Sequence, residues 1–208
     1  MSQFFEIHST HPQKRLVYQA VEIIRQGGVV VYPTDSSYAI GCHIGDKDAM
    51  ERIQRIRKLD DKHFFTLVCK DLSEIATYAK VDNTQYRTLR ALTPGAFTFI
   101  LQATNEVPRR LLHPKRRMIG IRVIDNPIVQ ALLEELQQPI MSSTLILPGK
   151  DMPETDAQTI REQLEKQVDL IIDGGHCGFE PTTVINMVET PPLLMRQGKG
   201  TGHGLEAA

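Results

Sequence analysis

The chain has 208 residues, enough for one domain with a buried core, and its 41% hydrophobic and 24% charged residues are ordinary for a globular protein. A net charge of −1 excludes a generally sticky polycation, and no apolar run approaches the roughly 20 residues of a membrane span. Three widely spaced cysteines without a Cys-x-x-Cys argue against a disulfide framework or a metal site, and residues 1–11 lack a secretory pattern, so a cytoplasmic location is expected.

Helical and strand patterns then alternate. Residues 12–26 carry Leu16, Val17, Ala20, Val21, Ile23 and Ile24 at helical spacing, stopped by Gly27 and Gly28. Residues 29–32 are a buried-strand run ending at Pro33, and a polar turn at Thr34, Asp35, Ser36 and Ser37 leads into a second strand over 38–44. The spacing predicts helices over 46–57, 71–79 and 83–92, with strands over 64–69 and 97–103. A strand over 118–124 holds Arg122 among alternating apolar residues. Asn126-Pro127 marks a helix start: an amide cap followed by a proline in the first turn. Residues 140–147 are apolar but interrupted by Ser142, Ser143 and Thr144. A helix over 156–166 and strands over 169–172, 182–188 and 193–196 complete the pattern. Residues 1–198 read as one α/β domain with a mixed sheet, and 199–208 as a flexible tail.

Charge is segregated. Arg109, Arg110, Lys115, Arg116, Arg117 and Arg122 lie in one stretch without an acid, and Arg52, Arg55, Arg57, Lys58, Lys62 and His63 form a second cluster. Such runs suit a phosphate-bearing ligand or a solvated face. Arg122 must find an anion or reach solvent. Neither a Gly-x-Gly-x-x-Gly nor a Walker-type loop is present, and no nucleophile–base pairing stands out.

Five segments, in order, resemble the YrdC/YciO family and are most similar to its YciO branch. They are Pro33-Thr34-Asp35-Ser36-Ser37-Tyr38-Ala39-Ile40-Gly41, Thr93-Pro94-Gly95-Ala96-Phe97-Thr98, Ile119-Gly120-Ile121-Arg122-Val123 with Asn126-Pro127, Thr182-Thr183-Val184-Ile185, and Met195-Arg196-Gln197-Gly198. The resemblance implies a YrdC-like twisted mixed sheet with helices packed around a deep basic groove. It also implies threonylcarbamoyl-AMP synthase chemistry, in which threonine carbamate attacks the α-phosphorus of ATP, with Mg2+, and pyrophosphate leaves. Thr34 and Ser36 would lie near the amino acid, Thr98 and Arg122 near phosphate or carboxylate, and Thr183 and Arg196 near the nucleotide. Ser142 and Thr144 would also line the site.

Two departures stand out. The family's Lys-x-Arg falls on Arg55-Ile56-Arg57 in one alignment, while the ungapped one puts Arg57 on the Lys and Leu59 on the Arg. The family's Ser-Ala-Asn falls on Thr144-Leu145-Ile146, so a hydrocarbon replaces an amide; loss of one donor at a charged transition state costs on the order of 100-fold. Two functions are therefore expected: a divergent synthase with weak or altered activity, or a non-catalytic double-stranded RNA or tRNA binder. The latter would use the patch Arg109, Arg110, Lys115, Arg116 and Arg117. A 6% aromatic content favours backbone contacts over base stacking.

Overall fold

The computed structural model describes residues 1–59, 63, 65–112 and 117–202. In chain order its elements are β1 (Gln3–Glu6), α1 (Lys14–Arg25), β2 (Val30–Tyr32), β3 (Ala39–His43), α2 (Lys47–Arg57), β4 (Thr66–Val68), α3 (Leu72–Tyr78), α4 (Asn83–Leu92) and β5 (Phe97–Gln102). A single 3-10 turn, Arg109–Leu111, follows. Then come β6 (Met118–Arg122), α5 (Pro127–Leu136), β7 (Ile140–Thr144), α6 (Ala157–Leu164), β8 (Leu170–Asp173), β9 (Thr183–Asn186) and β10 (Leu193–Arg196). Five of the six described helices, all but α1, begin where short polar side chains satisfy their free backbone N–H groups. Asp46, Asp71, Asp82, Asn126 and Asp156 each accept from the first turn of the helix they cap.

All ten strands form one mixed sheet in the order β1-β8-β2-β3-β7-β4-β6-β5-β9-β10. The expected hairpin pairs β2/β3 and β9/β10 are antiparallel, while β1/β8, β2/β8, β4/β6 and β5/β9 are parallel. The periodicity missed β1 and the 3-10 turn, and left residues 140–147, which hold β7, without a strand assignment. The four residues of β1 are too short for a pattern, and as an edge strand it is held by parallel pairing with β8. Residues 199 and 200, expected to open a loose tail, are held in place. The Lys199 N–H donates to the Pro181 carbonyl (2.8 Å), the Thr183 hydroxyl donates to the Gly200 carbonyl (2.7 Å), and Gly200 is buried against Phe97. Residues 203–208 lie outside the described residues.

Strand alternation splits the core. Val29, Val31, Ile40, Leu67, Phe99 and Ile121 point to one face, where α2, α3, α4 and α6 pack on them. Val30, Tyr32, Val68, Ile140, Leu170 and Ile172 point to the other, where only α1 and α5 cover them. That cover serves β1, β8, β2 and β3 and stops near β7. Beyond it, the same face of β7, β4, β6, β5 and β9 carries Ser142, Thr66, Arg122, Thr98 and Val184, and lies open.

One glycine makes the boundary possible. A Cβ on Gly41 would stand 2.8 Å from the Met141 carbonyl oxygen and 3.2 Å from the Tyr32 ring. Without it, the fully buried Tyr32 ring crosses β3 from β2 and reaches β7. Gly41→Ala is expected to cost on the order of 2 kcal/mol through overpacking against backbone. The measurement is urea denaturation, with a lowered midpoint and an unchanged slope; an unmoved midpoint would contradict this packing.

Candidate functional site

The open half-face is the floor of a groove with a cavity of about 430 Å³. The register explains its lining. Thr66 on β4 pairs with Ser142 on β7 and with Gly120 on β6, and Gly120 pairs with Ile100 on β5. Side chains on this row therefore point the same way. A Cβ on Gly120 would lie between Thr66 and Thr98, at 3.3 and 3.5 Å, so this glycine keeps the floor deep. Phe65, Leu111, Met118 and Val184 give the groove an apolar part, and Ser37, Thr144, Thr182, Arg122 and Arg196 a polar one. Among the described residues that line it, both charged groups are arginines and none is an acid.

Arg122 is the centre of the polar part. It is 8% exposed, and its Nη2 donates to Asp35 Oδ1 at 2.6 Å and to Ser36 Oγ at 3.3 Å. Asp35 is held in turn by the backbone N–H of Asp125, at 2.9 Å to Oδ2. Burial lowers the pKa of the guanidinium, and the Asp35 carboxylate works against that shift. Arg122 Nε is buried and has no partner among the described residues. An unmet buried donor typically costs about 1–3 kcal/mol.

The rest of the polar wall is braced from behind. Thr98 and Thr182 share a hydrogen bond of 2.8 Å between their hydroxyls. Arg196 lies over Thr182, donating to its carbonyl (3.0 Å) and its hydroxyl (3.2 Å). Ser142 accepts from the Tyr32 hydroxyl at 2.6 Å. Arg57, half-buried and with its pKa lowered by burial, donates to Ser143 Oγ and to the Ile146 carbonyl (3.1 Å).

The residues expected from the sequence divide accordingly. Thr98, Arg122, Ser142, Thr144 and Arg196 line the groove. Ser36 stands behind Arg122, and Arg57 behind Ser143. Three others do not open on the groove. The Thr34 hydroxyl closes its own turn, accepting from Ser36 N and Ser37 N and donating to the Ser37 carbonyl. Arg55 sits on the exposed side of α2, two residues and so about half a turn from Arg57. Thr183 is fully buried and anchors residues 198–200, while its neighbour Thr182 faces the cavity. Ser37, Ser143 and Thr182, which belong to the polar clusters seen in the sequence but were not assigned to the site, line it as well, and Thr66 joins them without having been noted. Thr66 had one signal, a hydroxyl alternating with apolar neighbours in a short strand.

Arg109, Arg110 and Arg117 are exposed and flank Leu111 and Met118 at the rim. Arg110 donates to the Gly45 carbonyl and Arg117 to Asn105 Oδ1 (2.7 Å). Lys115 and Arg116 lie outside the described residues. A second cavity, about 870 Å³, is lined by Asp35, Asp125, His176 and Lys199. It is larger, but its mixed charge suits an anion less well than the groove. No three His, Cys, Asp or Glu side chains among the described residues could hold a metal ion, and none of the described helices is long and apolar enough to cross a membrane.

This architecture has close relatives. The YciO protein of Escherichia coli K12 is 59% identical over 200 residues, covering 96% of this chain and 97% of that one. The crystal structure of E. coli YciO matches with a TM-score of 0.93, covering 97% of this chain and 98% of that chain. The threonylcarbamoyl-AMP synthase of Vibrio vulnificus YJ016 is 28% identical over 183 residues, covering 86% of this chain and 97% of its own length. A structure of P. abyssi Sua5 complexed with L-threonine shares the fold, with a TM-score of 0.86 at 24% identity. It aligns with 95% of this chain, which spans 58% of that longer one. The family model described as telomere recombination matches residues 22–198, and with that extent of agreement the chain belongs to the Sua5/YciO/YrdC family.

Proposed function

We propose that the groove binds a nucleotide together with an acidic small molecule, and that the protein is a divergent threonylcarbamoyl-AMP synthase with weakened or altered chemistry. The observation that carries this is a cavity walled by hydroxyls in which Arg122 and Arg196 are the charged groups and no described lining residue is an acid. A cavity of about 430 Å³ is of small-molecule size. Relatives at 27–28% identity bear the name threonylcarbamoyl-AMP synthase, and a structural relative was solved with L-threonine.

The chemistry asks for such a wall. The threonine amine takes up bicarbonate to give a carbamate and water. A carbamate oxygen then bonds to the α-phosphorus of ATP as the bond to pyrophosphate breaks. Negative charge grows on phosphoryl oxygens, which fixed N–H and O–H donors stabilise. Magnesium would travel with ATP, bound by its phosphates, because the described residues offer no carboxylate cluster for a resident ion. The weakness follows from Ile146. Its half-buried side chain presents no donor, and its carbonyl is taken by Arg57.

A second reading is favoured by Arg109, Arg110 and Arg117 at the rim: an RNA backbone lies across the mouth of the groove. RNA affinity would then fall with salt, and replacing the three arginines by alanine would flatten the log–log slope by about three units. A slope unchanged in the triple variant, or no RNA binding at all, contradicts it.

For the groove itself, isothermal titration with ATP and magnesium is expected to show binding that tightens when threonine and bicarbonate are added, with pyrophosphate released slowly. Arg196→Ala should weaken that binding on the order of tenfold or more with little change in melting temperature, since Arg196 is exposed. Arg55→Ala should leave it unchanged. Absence of nucleotide binding under every condition, or equal losses in the two variants, would defeat the proposal.

A further inference from the structure

Tyr32 lies outside the groove lining, is fully buried, and still carries a hydroxyl. A buried phenol needs a partner. Tyr32 finds it only by crossing Gly41 to Ser142 Oγ on β7, 2.6 Å away and facing the cavity. Burial raises the phenol pKa to about 12, so it holds its proton throughout the physiological range.

The direction of this bond follows from chemistry. A phenol is the stronger donor of the two hydroxyls, and this one has no other acceptor among the described residues. Ser142 Oγ therefore accepts from Tyr32, and its own proton must go elsewhere. No other described side chain or carbonyl takes it, and the open direction is the groove. Arg122 lines the same cavity, with its Nη2 held by Asp35 and Ser36.

We infer that Tyr32 is a positioning residue that fixes the Ser142 hydroxyl as a donor into the groove, so that this point of the wall favours an oxyanion acceptor, a phosphoryl or carboxylate group. A hydroxyl free to rotate would accept from an amine or a protonated acid as readily as it donates. Held by Tyr32, this one has one of its two acceptor lone pairs taken and its proton turned to the groove, so it favours an acceptor over either. The inference rests on the groove being a ligand site for its consequence, though the orientation of the two hydroxyls does not depend on what binds.

The experiment has two arms. Neutron diffraction from perdeuterated crystals locates the two hydroxyl deuterons. The Tyr32 deuteron is expected on the line to Ser142 Oγ, and the Ser142 deuteron pointing into the cavity. The reverse orientation overturns the inference whatever the groove binds. The second arm measures AMP affinity in wild type, Tyr32→Phe, Ser142→Ala and the double variant. Each single change should lower affinity about tenfold, and the double no further, instead of the roughly hundredfold loss of independent sites. A purely structural Tyr32 would lower the melting temperature and leave AMP affinity alone, and Tyr32→Phe binding AMP as tightly as wild type overturns the inference. If wild type binds neither AMP nor ATP, the nucleotide reading fails, and the neutron map still decides the orientation.

Discussion

The sheet has ten strands, and one of its faces has only two helices to cover it. A strand face without cover cannot stay apolar in water, so whatever lies beyond α1 and α5 must be solvated or filled. The chain meets this constraint by changing chemistry along one row of the pleat. Val30, Tyr32 and Ile140 lie under the helices, and Ser142, Thr66, Thr98 and Arg122 lie beyond them. The four helices on the opposite face let the same strands remain apolar there. The groove is thus the uncovered remainder of the fold.

Polar groups at this boundary are costly, and two of them are tied to partners two or more strands away. Arg122 meets Asp35 from the turn after β2, and Tyr32 meets Ser142 across β3. Removing one member of a buried ion pair strands the other, typically at 3–5 kcal/mol, so these pairs lock the register of the central strands as well as shaping the site. Arg57 performs a similar office for residues 143–146, and there the departure of Ile146 from the family's amide falls. The wall of the groove on both sides of Ile146 is held in place by these bonds.

Much of this was legible in the sequence because local signals and tertiary structure agree. Asn126-Pro127 caps α5 as expected, and the hairpin spacing of β2 and β3 gave the right pairing. Arg122 stood out because a charge in an apolar strand demands a reason. What stayed hidden depends on register. Thr182 and Thr183 are equivalent in a list of residues, and only the pairing of β9 with β5 sends one to the cavity and the other to the core. Arg55 and Arg57 likewise differ only by the orientation of α2. Thr34 looked like a ligand group, but its hydroxyl is spent on its own turn, the usual fate of such a residue at a strand end. β1 escaped notice because its stability comes from β8, more than 160 residues away in the chain.

The central claim is that the open half-face, centred on Arg122, is where ligand binds. The direct measurement is a backbone amide shift map of labelled protein titrated with AMP. The account predicts shifts concentrated at Thr66, Thr98, Gly120, Arg122, Ser142 and Thr182, with α1 and α5 silent. Shifts concentrated instead at Gly95, Gly178 and Gly200 would place the ligand in the second cavity and contradict it.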